Sequence, residues 1–228
     1  MISIIIPAFN EEHQLPFLIK HLEGASSGLV SEIIVVDGGS TDNTAEVVKN
    51  MDGVILVSSE KGRAVQMNAG ANIATSGILY FLHADSFPPQ NFDKLILQEI
   101  QKGKMAGCFQ MKFDKAHWWL KLMGLFTKFN HISCRGGDQS LFVERSLFKK
   151  LNGFNENYKV YEDNDMVRRL YEVTHFTVIK QWITTSARLY ERLGVWQTQL
   201  LFIEIYWKKR FGASADDLYR HYSQRVSD

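Results

Sequence analysis

The chain has 228 residues, 45% hydrophobic and 22% charged, which describes an ordinary soluble globular protein, long enough to bury a sizeable core as one large α/β domain or two small ones. A formal net charge of +1 excludes a nucleic-acid binder that depends on massed phosphate contacts. Two cysteines, Cys108 and Cys134, lack zinc-like spacing, and the apolar run Ile2 to Ile6 is too short for a signal segment, so reduced thiols in a cytoplasmic protein are expected.

In chain order, SIII (3–6), EIIVVD (32–37), VILVSS (54–59) and ILYFLH (78–83) predict short buried strands. Between them EEHQLPFLIKHLEG, TDNTAEVVKNM and GRAVQMNAGANIAT have helical character, and Thr41 or Asp42 can cap the second helix. Strands alternating with helices imply βαβ units, and continuously apolar strands imply a parallel sheet covered on both faces. Right-handed crossovers then bring every strand's carboxyl end to one edge, where open α/β sheets bind ligands. The stretches beginning at Pro7, Asp37, Ser59 and His83 should converge there, so that Asp85 faces a ligand crevice. Its plain alternative is a turn cap before Ser86.

Beyond residue 103 the pattern loosens. AGCFQMKF (106–113) predicts a strand, KAHWWLKLMGLFTKF (115–129) an aromatic-rich helix, RGGDQ (135–139) a glycine loop leading into the strand SLFVE, and YEDNDMVRRLYEV (161–173) a helix. A strand pair is expected around HFTVIK and TTSARLY, then long amphipathic helices from about Glu191. With no internal repeat or Pro/Gly/Ser linker, one domain spanning 1–228 is the simplest organisation.

A sheet of this kind suggests a nucleotide, yet the turn after the first strand is PAFNEE, with no glycine. The Gly-x-Gly-x-x-Gly dinucleotide fingerprint and the P-loop are both absent, which argues against a nicotinamide oxidoreductase. Without a glycine cradle, pyrophosphate charge requires another counter-charge. Mg²⁺ or Mn²⁺ held by one or two carboxylates and the phosphates themselves would supply it, and Asp85 is placed for that role.

PAFNEE, VVDGGSTDNT, EKGRAVQMNAGA, FLHAD and YEDNDMVRRL, in this order at successive element ends, resemble family 2 glycosyltransferases. GRAVQMNAGA, FLHAD and RGGDQSLFV resemble in particular the radical-SAM/selenodomain-associated transferase subgroup. The resemblance implies an α/β protein of GT-A type: a mostly parallel central sheet with helices on both faces, a nucleotide-binding half (1–103) and an acceptor-side half (104–228). It implies inverting transfer of a sugar from a nucleotide-diphosphate donor to an unidentified acceptor hydroxyl. Residue by residue, Pro7, Phe9 and Glu11 would line the base and ribose pocket, and Asp37 would hydrogen-bond the nucleoside. Arg63 and Asn68 would lie beside the ribose-diphosphate, with His83 and Ala84 in the same donor site. Asp85 would be the metal-binding acid, holding Mn²⁺ or Mg²⁺, and Asp163 the catalytic base beside Glu162 on the acceptor side. Gly137, Asp138 and Gln139 would contact sugar or acceptor, or else form a plain β-turn. Two departures stand out: His83 replaces the usual first acid of the Asp-x-Asp element, and Asp37-Gly38-Gly39-Ser40 replaces the commoner Asp-Asp-Gly-Ser. His83 keeps open the alternative of a non-catalytic nucleotide-sugar-binding or scaffold protein of the same fold.

Helical spacing gives a separate view of the base. In a helix starting near Glu162, Asp163 shares a face with Val167 and Leu170, Asp165 points to the opposite side and Glu162 lies on a flank. Burial on the apolar stripe would raise the Asp163 pKa toward general-base values. The competing account is that acids simply favour the first turn of a helix. The segment 195–211 is too short and polar to span a bilayer. A packed helix with a solvated basic end is the first expectation, and peripheral contact with the inner membrane face the second.

Overall fold

The structure, a computed structural model, describes residues 1–136 and 139–226; Gly137 and Asp138 lie outside the described residues. The α/β expectation holds. Strand β1 (Ile2–Ala8) is buried at every position, as its isoleucine run requires, and lies at the heart of an eight-stranded sheet. It pairs in parallel with β2 (Val30–Asp37) and β4 (Ile78–Phe81), and β2 pairs in parallel with β3 (Val54–Ser58). Helices α1 (Leu15–Ala25), α2 (Thr44–Lys49) and α3 (Arg63–Ile73) make the crossovers.

Because successive strand side chains point to opposite faces, β1 feeds two cores. Ile4 and Ile6 pack with Leu15, Leu18, Val48 and Phe92 on one side, while Ile5 packs with Met67, Ala71, Phe148 and Met166 on the other. Each such side chain contributes about 1.5–3 kcal/mol when fully buried. Gly70 sets the approach of α3: a Cβ there would lie 2.5 Å from Ile5 Cγ2 and 3.0 Å from Val36 Cγ2.

The second half continues the same sheet with mixed polarity. The full order is β3-β2-β1-β4-β7-β6-β8-β5, with β5 (Ser86–Phe87), β6 (Ala106–Phe113), β7 (Leu141–Glu144) and β8 (Thr177–Thr185). Strand β7 runs antiparallel to both β4 and β6, and β8 lies parallel to β6. The expected strand pair around HFTVIK and TTSARLY is instead the single strand β8. Ile179 pairs with Phe109 and Trp182 with Gln110, so the exposed Lys180 and Gln181 are absorbed as a bulge rather than turned into a hairpin.

Helices α4 (Phe92–Gln101), α5 (Trp118–Phe126), α6 (Arg145–Lys150) and α7 (Glu162–Val173) flank the sheet. The C-terminal helices are α8 (Arg188–Leu193), α9 (Val195–Arg210) and α10 (Ala215–Val226). Leu201 and Ile205 of α9 and Leu218 of α10 form a separate small core with Tyr158 and Val160. Helix α9 is not one-sided: Trp196, Leu200, Ile203, Tyr206 and Trp207 remain exposed.

Candidate active site

The carboxyl ends of β1, β2 and β3 coincide, since Ala8 pairs with Asp37 and Asp37 with Ser58. After β4 the chain turns sharply, with Ser86 N donating to His83 O at 3.1 Å. The turn is stitched to the end of β8 by Ser186 N donating to Asp85 O at 3.2 Å. A cavity of about 610 Å³ opens at this edge, and Pro7, Phe9, Glu11, Arg63, His83, Ala84 and Asp85 all line it. Lys61 Nζ sits 3.7 Å from the centroid of the Phe9 ring.

Two residues expected in that cavity do not line it. Asp37 is spent on its own turn: Oδ1 accepts from Ser40 N at 3.2 Å and from the Ser40 hydroxyl, and Oδ2 accepts from Gly39 N at 3.3 Å. The turn does need this carboxylate, because Gly38 N still bonds Ala8 O of the neighbouring strand at 2.9 Å, whereas Gly39 N and Ser40 N beyond it turn to Asp37. Asn68 is a structural clamp. Its amide nitrogen donates to Phe154 O at 2.9 Å and Glu156 Oε1 at 2.8 Å, and its oxygen accepts from Phe154 N at 2.9 Å.

Two further lining residues, Gln66 and Arg188, are given no role by the sequence reading. Gln66 ties the ends of two strands together, donating to Ala8 O at 2.7 Å and Val36 O at 2.8 Å. A Cβ at position 38 would lie 2.9 Å from the Gln66 amide, which accounts for glycine where the commoner pattern has a side chain. Arg188, at the start of α8, reaches Glu11 Oε1 at 2.8 Å and Asp85 Oδ2 at 3.1 Å. The rule that ligands gather at strand ends, applied to the end of β8, would have pointed to it.

A second cavity of about 500 Å³ adjoins the first and shares Arg63, Asp85, Leu189 and Tyr222 with it. Asp163 faces this space, with 13% of its side chain exposed, and His83 Nε2 lies 3.8 Å from Asp163 Oδ2. The far wall is apolar and aromatic, including Met111, Phe113, Met123, Phe126, Phe202 and Trp207. Gln139 also lines it, fixed by Arg135 Nη1 donating at 2.7 Å and by its own bond to Cys134 O at 2.9 Å.

The start of α7 differs from the helical-spacing expectation. The completely buried acid is Glu162, which lines neither cavity. Arg63 Nε lies 2.7 Å from Glu162 Oε1, yet among the described residues neither carboxylate oxygen accepts an aligned hydrogen bond. Burial pushes the Glu162 carboxyl up, with Arg63 opposing the rise and Asp163 adding to it. Asp165 is buried too, rather than facing solvent. Arg169 bridges it to the loop before α7, bonding Asp165 Oδ2 at 2.8 Å, Leu151 O at 2.8 Å and Gly153 O at 2.9 Å. That loop covers the helix side which spacing alone assigned to water.

Among the described residues no three His, Cys, Asp or Glu side chains gather as a metal cage. Asp85 and Glu11 nevertheless converge on a single guanidinium nitrogen, so the pocket already accommodates positive charge between two carboxylates. That donor set fits an ion whose remaining ligands are phosphate oxygens and water.

The chain matches the family described as glycosyl transferase family 2 over residues 3–165. It is 34% identical over 135 residues to dolichol-phosphate mannosyltransferase of Pyrococcus furiosus, a match covering 56% of this chain and 38% of that protein. Among solved structures, S. aureus TarS 1–349 superposes with a TM-score of 0.68 at 19% identity, covering 88% of this chain and 65% of that one. The mannosyltransferase PcManGT from Pyrobaculum calidifontis, in complex with GDP-Man and Mn²⁺, gives 0.67 at 16% identity, covering 93% and 65%. Both share the fold. The chain thus spans about two fifths of the length of that curated relative.

Proposed function

The chain belongs to glycosyl transferase family 2, and from that premise we propose that it transfers a sugar, with inversion, from a nucleoside-diphosphate donor to an acceptor hydroxyl. The observation that carries this is the junction of two cavities at Arg63 and Asp85, with Asp163 facing the second. The nucleoside lies against Pro7 and Phe9 and the diphosphate against Arg63, whose guanidinium is steadied from behind by buried Glu162. Asp163 accepts the proton of the acceptor hydroxyl, and that oxygen attacks the anomeric carbon from the face opposite the departing diphosphate. His83 Nε2 lies 3.8 Å from the Asp163 carboxylate, beside the path of that proton. A bound Mn²⁺ or Mg²⁺ held by Asp85 would supply charge neutralisation for the leaving group.

The acceptor cavity's aromatic wall fits an acceptor with an apolar body. Exposed Phe126 of α5 and Trp207 of α9 line it, Trp118 and Trp196 are exposed on the same two helices, and Lys208, Lys209 and Arg210 end α9 just before exposed Phe211. Such a surface suits the headgroup region of a membrane face, which the protein would touch peripherally. Among the described residues no helix is long and apolar enough to cross a membrane.

Asp163→Asn tests the central assignment. Sugar transfer should fall by about 10²–10⁴-fold while calorimetric affinity for the nucleotide stays near the wild-type value. Full activity in the variant would remove Asp163 from the role of base. Nucleotide-sugar binding without transfer by the wild type would favour the non-catalytic alternative.

A further inference from the structure

Arg188 occupies a place that no motif assigns. Its guanidinium forks onto Glu11, Nη2 to Oε1 at 2.8 Å and Nη1 to Oε2 at 3.1 Å, and Nη2 also reaches Asp85 Oδ2 at 3.1 Å. Its backbone is fixed: Arg188 N donates to Ser186 Oγ at 3.1 Å, and Ala187 N to Asp114 Oδ1 at 3.0 Å. Its side chain is 46% exposed and lines the donor cavity, so the long arm can turn while its root stays put.

Two carboxylates that meet at one point repel each other unless a cation lies between them. Here the guanidinium fills that role, and the three groups together still carry one negative charge. A diphosphate approaching this cavity is attracted by Arg63 but repelled by the Glu11 and Asp85 carboxylates, a repulsion eased when Arg188 turns toward it. A divalent cation approaching Asp85 meets the guanidinium already on Oδ2. Each ligand therefore clears the way for the other.

We propose that Arg188 is the resident counter-cation of the donor site and competes with a divalent cation for Asp85. When the ion takes Asp85, Arg188 releases that oxygen and presents its planar fork to the diphosphate, a geometry guanidinium favours. The ion then binds weakly by itself and well together with nucleotide. This deepens the donor-site reading above and rests on it.

Manganese EPR titration of the full chain without nucleotide tests the competition directly. Arg188→Gln should bind Mn²⁺ about tenfold more tightly than the wild type, because two adjacent carboxylates lose their internal cation. Arg188→Lys keeps the charge and should stay close to the wild type. Adding Asp85→Asn to Arg188→Gln should abolish the gain. In calorimetry with UDP or GDP, Mn²⁺ should tighten wild-type nucleotide binding by about tenfold, and Arg188→Gln should shrink that coupling. Equal Mn²⁺ affinity in the wild type and Arg188→Gln overturns the proposal. So does an equal gain in Arg188→Lys, which would trace the effect to a loosened loop. If neither protein binds any nucleotide while Arg188→Gln still gains Mn²⁺, the glycosyltransferase reading fails and the competition stands.

Discussion

Glu162 and Asp163 are neighbours in sequence with opposite surroundings. One is sealed against Arg63 beneath the site, and the other looks into the acceptor cavity. The sealed one has a measurable consequence. Its folded-state pKa is raised above the ordinary value of 4.5, so the fold holds this proton more tightly than the unfolded chain does. Stability from this group is present below pH 4.5 and is lost as pH rises toward the folded value. Glu162→Gln keeps the shape without the titration, so its melting temperature relative to the wild type should climb as pH rises from 4.5. A pH-independent difference would show that burial is not shifting this carboxyl. The motif Glu162-Asp163 was legible in the sequence, but which acid is buried was not. Spacing on one helix cannot report the loop that covers its other side.

At the scale of elements, the closeness of α3 to the sheet decides where Arg63 stands. Gly70, two turns along the same helix, permits that approach, because any Cβ there meets the Ile5 and Val36 side chains. Gly70→Val should cost about 1–3 kcal/mol by overpacking, read as a lower urea midpoint, and should weaken nucleotide binding by displacing Arg63. Unchanged stability would mean that α3 can lift without loss. Strands β1 to β4 and helices α1 to α3 were readable from apolar runs and their punctuation, since local periodicity and crossover handedness suffice for βαβ units. Strand β8 was not, because Lys180 and Gln181 look like a turn until the pairing with β6 shows them bulged.

At the scale of the molecule, α5 and α9 bring tryptophans together: half-buried Trp119 and exposed Trp196 have ring centroids 5.0 Å apart, and exposed Trp118 and Trp196 6.0 Å. Phe211, 82% exposed, lies just beyond the basic end of α9. If this face meets a membrane, the protein should co-sediment with vesicles containing phosphatidylglycerol, and less so at high salt. Trp118→Ser with Phe211→Ser should weaken the association several-fold, as expected for lost interfacial burial. Absence of wild-type sedimentation at low salt would leave the aromatic wall as an acceptor surface only.

By itself the sequence determined the α/β class, because it follows from runs and punctuation within single βα units, and it singled out Asp85 and Asp163 as candidate acids, which line the adjoining cavities. Only the tertiary structure decided that Asp37 caps its own turn, that Asn68 clamps a distant loop and that Glu162 is buried. It alone brought Arg188 onto Glu11 and Asp85, partners 177 and 103 positions away. A side chain's role depends on which groups compete for its hydrogen bonds and charge, and those competitors come from parts of the chain that no local pattern connects.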